Sequence, residues 1–235
     1  TPEQIGNDIL TAMTKKFGWM PPSLWLHKHA GYSELWDKKE WQDSTDKKTF
    51  GQYYQEGLDK GYIANDHLLK TAPQVLMYMA HNPLRRQRSG RKMYTENLWP
   101  KAKMIFSIET RMSTSAAFAD IVLPSAWYYE KEDMPMPFSY LPFISMQQKA
   151  VEPPGEAKPE WEIFVKLSEK IVQRAKQRNM ESYVDHFGIS QPYQDFYKQF
   201  TMNGKMVTNR DVLEEFVTFN AASGIMPKNY TLAQF

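Results

Sequence analysis

The sequence predicts an α/β fold, a doubly wound and mainly parallel sheet with flanking helical and extended segments. Short apolar runs at residues 74–80, 104–108 and 121–123 carry no charge and are continuous rather than alternating, the pattern of buried parallel strands. A helix-compatible stretch at 84–99 and a small-residue segment at 113–117 separate them, which gives strand, helix, strand, short helix, strand.

In chain order, Ile5, Ile9, Met13 and Phe17 recur at helical spacing until Gly18-Trp19-Met20-Pro21-Pro22 breaks the pattern. Residues 25–41 mix Trp25, Trp36 and Trp41 with lysines and glutamates, and Phe50, Tyr53, Tyr54 and Leu58 predict a short helix ended by Gly61. These aromatics are expected in a core rather than stacked on bases, because arginines and lysines do not line up beside them. The first predicted strand stops at His81-Asn82-Pro83, the second at Glu109 and the third at Pro124. Residues 135–154 contain Pro135, Pro137, Pro142, Pro153 and Pro154 and read as an ordered extended loop packed over another surface. Pro159 then suits the first turn of a helix, Glu160 and Glu162 favour its positive end, and Trp161, Phe164, Leu167 and Ile171 form its apolar stripe. A last helix starts near Thr208 or Asn209, carries Leu213, Phe216 and Val217 inward and ends at Gly224.

Composition removes several function classes. Hydrophobic residues make up 42% and charged residues 24% of the 235, values of a globular domain rather than a disordered chain. Lysine plus arginine total 29 against 27 acidic residues, so the balance demands neither nucleic acid nor an anionic membrane. No window approaches the ~18 uncharged apolar residues of a spanning helix. The start, Thr1-Pro2-Glu3-Gln4, lacks an initiator methionine, a twin arginine and an apolar signal core, so a piece of a longer polypeptide is expected. With no cysteine, thiolate zinc sites, thiol nucleophiles and cysteine-ligated clusters are absent from this sequence. The histidines at 27, 29, 67, 81 and 186 form no recognisable ligand motif, and no metal site is predicted.

In open α/β sheets ligands bind beyond the carboxyl ends of the strands. Asn82 leaves the first strand there as an amide able to contact phosphate or ribose. Glu109 ends the second as a carboxylate able to accept from ribose hydroxyls or a guanine edge, and Ser113 and Ser115 offer hydroxyls beside free backbone N–H groups. Arg85, Arg86, Arg88, Arg91, Lys92, Lys101 and Lys103 are opposed only by Glu96, which reads either as a site for a polyanion or as a solvated helix face. Neither G-x-G-x-x-G nor G-x-x-x-x-G-K-[ST] occurs, and no nucleophile elbow is present, so no catalytic residue is assigned. A cofactor-free interaction module, its basic cluster gripping an acidic partner, is the alternative from another class.

The run Glu109-Thr110-Arg111-Met112-Ser113-Thr114-Ser115-Ala116-Ala117-Phe118-Ala119-Asp120-Ile121-Val122-Leu123-Pro124 resembles the strand-loop-strand of the dimethyl sulfoxide reductase family of molybdopterin oxidoreductases. Further matching segments follow in order: Ser125-Ala126-Trp127-Tyr128-Tyr129-Glu130-Lys131-Glu132-Asp133-Met134, Ala150-Val151-Glu152-Pro153-Pro154 and Glu156-Ala157-Lys158-Pro159-Glu160-Trp161. Gly18-Trp19-Met20-Pro21 and Asn82-Pro83-Leu84 resemble the branch holding respiratory nitrate reductase and nitrite oxidoreductase catalytic subunits.

The resemblance implies a fragment of a large catalytic subunit that contains one of the molybdopterin-dinucleotide-binding domains. Residues 73–180 would be that domain, between helical and loop segments at 1–72 and 181–235. It implies bis-molybdopterin guanine dinucleotide with molybdenum, and an iron–sulfur cluster in an amino-terminal part outside this sequence, where the family also places its molybdenum ligand. Cofactor-binding positions fall on Asn82, Glu109, Arg111, Ser113, Asp133, Lys158 and Glu160. Glu109 and Glu160 stand where aspartate is usual; the extra methylene carries the Glu109 carboxylate outward by ~1.5 Å. Lys158 and Glu160 also read as charges of a helix N-terminus. Implied partners are the rest of the catalytic subunit, an iron–sulfur electron-transfer subunit, a haem subunit and a small oxyanion substrate, with no nucleic acid and no direct membrane span. The implied reaction is oxygen-atom transfer between nitrate and nitrite, with perchlorate, selenate or a hydrocarbon as alternatives in the same branch. The compartment is left open between the periplasm and either face of a membrane.

Overall fold

The computed structural model describes residues 22–62, 72–134, 145–185 and 188–234. The expected helix over residues 5–17, its break at residues 18–21 and residues 135–144 of the proline-rich loop lie outside the described residues. The chain divides into two compact units, one formed by residues 1–107, 112–122 and 186–188, the other by 108–111, 123–185 and 189–235.

The first unit opens with helix α1, Pro22–His29, and two single 3-10 turns. Helix α2, Phe50–Asp59, starts where Thr49 and Gln52 cap each other reciprocally, and Gly61 follows it with φ 69°. The sheet comes next: β1 Val75–Met79, β2 Met104–Glu109 and β3 Ile121–Pro124 lie in that spatial order, all parallel. The α/β class is therefore observed. Burial in β1 alternates: Leu76 and Tyr78 point into the core, whereas Val75, Met77 and Met79 are 51%, 44% and 45% exposed. The continuous burial expected from this run is not seen, because among the described residues a layer covers only one of its faces.

That covered face joins Leu76 and Tyr78 to Ala30, Leu84, Tyr94, Leu98, Trp99 and Ile105 in one cluster. Within it the Trp99 Nε1–H donates to the Tyr78 hydroxyl at 2.6 Å, which satisfies two buried polar groups at once. Burial pushes the Tyr78 phenol up to about 12, against the opposing pull of that hydrogen bond.

The helix expected over 84–99 is broken into pieces. Helix α3, Pro83–Arg86, stops at Gln87, and helix α4, Gly90–Met93, runs into a π turn at Tyr94–Leu98 and a 3-10 turn at Trp99–Lys101. Ser89 takes a left-handed φ of 51°, and a Cβ on Gly90 would lie 2.4 Å from the Pro83 carbonyl oxygen. The chain folds back so tightly there that only glycine fits.

The short helix α5, Thr114–Ala117, lies in the first unit; in the second, helix α6, Glu160–Gln177, is the longest described element. Its buried residues are Ile163, Val165, Ser168 and Ala175, while Leu167 is 38% exposed. The predicted stripe through Leu167 is thus displaced around the helix. Trp161 explains part of this: it stacks on Phe200 at 4.7 Å and donates Nε1–H to the Met206 carbonyl, which turns its flank toward the following segment. An antiparallel pair, β4 Ser182–Val184 with β5 Ser190–Pro192, and helix α7, Phe196–Phe200, precede helix α8, Asn209–Ala222. Thr208 and Asp211 cap α8 reciprocally, Leu213 and Val217 are buried, and Gly224 follows with φ 77°.

Candidate functional site

Each unit gathers residues at the carboxyl ends of the strands. In the first, Asn82 follows β1 and its Oδ1 accepts from the Ser115 backbone N–H at 3.2 Å and the Ser115 hydroxyl at 2.8 Å. The Ser115 hydroxyl oxygen in turn accepts from the Leu84 N–H. Ser115 is fully buried in helix α5, Thr114–Ala117, which Ser113 caps by accepting from the Ala116 N–H at 3.1 Å. The Asn82 carbonyl oxygen is thereby committed to the protein. Its NH₂ has no acceptor among the described residues and remains a donor for phosphate or ribose oxygens.

Asn82→Ala would leave two buried donors on Ser115 without their acceptor. The expected cost is about 1–3 kcal/mol. Equilibrium urea unfolding checks it, and a loss below about 0.5 kcal/mol, the level of an ordinary surface change, would remove the tie from the account.

In the second unit, Glu109 ends β2 and its carbonyl accepts from the Ser125 N–H at 2.9 Å. Residues 125 and 158 form a parallel bridge: the Lys158 N–H donates to the Pro124 carbonyl and the Ala126 N–H to the Lys158 carbonyl. Beside it Lys131 is buried, with 8% of its side chain exposed. Its Nζ lies 2.5 Å from Glu160 Oε2 and 3.4 Å from Asp133 Oδ2, and the other Glu160 oxygen accepts from the Ser125 hydroxyl at 2.7 Å. Burial alone would raise the Glu160 carboxyl, but the hydrogen bonds from Lys131 and Ser125 outweigh it and hold it below the usual carboxylate range.

Asp133 and Glu160 are thus brought together by a residue that sequence reasoning left out. Lys158 is half-buried and has no ion pair among the described residues, and Arg111 is exposed. Ser125 and Lys131 were the missed members, whereas Ser115 was read with Ser113 as a strand-end hydroxyl. The signal available for Lys131 was a lysine set among Glu130, Glu132 and Asp133. Arg85, Arg86, Arg88, Arg91 and Lys92 are all exposed, while Lys101 donates to the His29 carbonyl at 2.6 Å.

Chemically, the first unit offers a donor amide and hydroxyls beyond the parallel strands and the second offers one ammonium; donors of each kind suit phosphate and ribose oxygens. Among the described residues no cluster of three or more histidines or carboxylates could hold a metal ion.

The family profile described as molybdopterin oxidoreductase matches residues 25–170. The chain is 32% identical over 185 residues to the respiratory nitrate reductase subunit alpha of Haloferax mediterranei, covering 77% of this chain and 18% of that protein. It is 34% identical over 135 residues to the perchlorate reductase subunit alpha of Dechloromonas aromatica, covering 57% and 14%. With the dimethylsulfide dehydrogenase subunit alpha of Rhodovulum sulfidophilum it shares 29% over 182 residues, covering 77% and 19%. The chain spans less than a fifth of the length of these curated relatives.

Proposed function

Because this chain belongs to the molybdopterin oxidoreductase family, we propose that it forms part of the catalytic subunit of a nitrate reductase or nitrite oxidoreductase and contributes residues that bind bis-molybdopterin guanine dinucleotide. The observation that carries this reading is the donor set at the strand ends, above all the Asn82 amide with its oxygen tied to Ser115. When bound, the cofactor supplies oxygen-atom transfer at molybdenum. The residues here bind and orient it: Asn82 donates toward phosphate or ribose, Ser113 sets the start of α5, Lys158 contributes a cation, and Glu109 accepts from guanosine. Arg111 and Asp133 complete the proposed set, Asp133 through its contact with Lys131. An iron–sulfur electron-transfer subunit and a haem subunit are the proposed partners, together with the rest of the catalytic subunit and its own iron–sulfur cluster.

The test uses the full-length enzyme. Molybdenum and pterin in the purified protein, GMP released on acid hydrolysis and turnover of nitrate or nitrite support the proposal. Turnover of perchlorate or chlorate alone would replace the substrate, and absence of both molybdenum and pterin would overturn the reading. Glu109→Ala is expected to weaken cofactor affinity about ten- to a hundredfold, the effect of losing charge-assisted hydrogen bonds worth ~1.5–3 kcal/mol. Molybdenum per subunit measures this, and full occupancy with unchanged turnover would make Glu109 an ordinary strand-end charge.

A further inference from the structure

Lysine is almost never buried unless paired, and Lys131 is buried between two carboxylates. This arrangement engages both Glu160 oxygens: one faces Lys131 and the other accepts from Ser125. Glu160 thereby ties the amino end of α6 to the segment that follows β3. The same two segments are joined through backbone at the Ser125–Lys158 bridge, so Lys158 is fixed by main-chain bonds to Pro124 and Ala126. Lys131 also holds Asp133, whose other oxygen accepts from the Met134 N–H. Lys131 thus engages Glu160 and Asp133 together, and the Lys158 ammonium has no ion pair among the described residues.

We propose that Lys131 is a positioning residue for the anionic cofactor: by engaging Glu160 and Asp133 together it locks residues 158–160 against 125–133 and reserves the Lys158 ammonium for a phosphate group. This rests on the cofactor reading above. Removing Lys131 releases Glu160, which is close enough in the chain to pair with Lys158 and neutralise it. The Lys131 ammonium touches no ligand itself. It acts by deciding which carboxylate Lys158 meets.

The experiment measures the rate of pterin loss and the molybdenum content of the purified full-length enzyme with its partner subunits. Lys158→Ala should speed pterin loss about tenfold, the effect of one charge-assisted hydrogen bond. Lys131→Met should do the same, and the double variant should lose pterin no faster than either single one. Lys131→Arg keeps the cation and should stay within about twofold of the wild type. A purely structural clamp predicts the opposite for the pair: the Lys158→Ala effect would persist in the Lys131→Met background, giving about a hundredfold in total by additivity, and that result overturns the proposal. Wild-type retention in Lys131→Met also overturns it. Where Lys131→Met fails to accumulate, Ser125→Ala frees only one Glu160 oxygen and should give an intermediate rate; a rate equal to the wild type again overturns the proposal. Wild-type enzyme devoid of pterin would instead overturn the cofactor reading on which the positioning role stands.

Discussion

Glu160→Ala is expected to destabilise the second unit by about 3 kcal/mol, the lower part of the range for breaking a buried ion pair. The variant leaves the Lys131 ammonium, 8% exposed in the wild type, with Asp133 alone to pair with it among the described residues, at 3.4 Å. It also deprives the Ser125 hydroxyl of its acceptor. Asp133 shares the charge, which keeps the loss from the upper end. The pH dependence has a definite sign. Because the folded state holds the Glu160 carboxyl below its ordinary value, its contribution is full above the ordinary carboxylate range of about 4.3 and is lost as pH falls through the depressed value. The stability gap between the wild type and Glu160→Gln should therefore close on acidification. Urea unfolding at neutral and acid pH measures both effects, and a gap that stays constant across that range would detach the stability from the carboxylate.

Leu98→Ala should have a comparable effect on the first unit. Leu98 is 1% exposed and packs in the cluster that holds Tyr78, Tyr94 and Trp99. Deleting its isobutyl group removes transfer free energy and leaves a cavity that rigid aromatic neighbours fill poorly, for a cost of about 2–5 kcal/mol. Amide hydrogen exchange in β1 and α4 should accelerate accordingly, whereas exchange in α8 should stay at the wild-type rate. A change below about 1 kcal/mol, typical of a site that collapses onto its neighbours, would show that this core repacks freely.

The parts of the fold that were legible in the sequence are those with a local physical signature. The three strands announced themselves because uncharged apolar runs end at Asn82, Glu109 and Pro124, and α8 because Thr208 and Asp211 sit at capping-box spacing ahead of Leu213 and Val217. The break at Ser89 was hidden: a helix-compatible composition does not reveal that Gly90 will approach the Pro83 carbonyl. The β4–β5 pair, three residues per strand, is too short for alternation to stand out. Within the candidate site, Asn82, Glu109 and Ser113 were readable because strand ends are where such ligands bind. Lys131 was not, because its partner Glu160 lies 29 residues away and no periodicity links a loop lysine to the first turn of a later helix.

The Asn82 tie has a consequence for selectivity. An amide is ordinarily ambivalent, able to rotate and offer either oxygen or hydrogens. Here two donors from Ser115 pin the oxygen, so rotation would forfeit both bonds and bring the NH₂ against the Ser115 backbone N–H, which can only donate. The exposed end is therefore of one polarity. A phosphate or carbonyl oxygen meets hydrogens and is welcomed; an ammonium or another amide N–H meets the same hydrogens and is refused. This filter involves no net charge, so salt should attenuate it far less than it attenuates the attraction of the exposed arginines on α3 and α4. At high ionic strength the discrimination that survives at this face should be the neutral amide's.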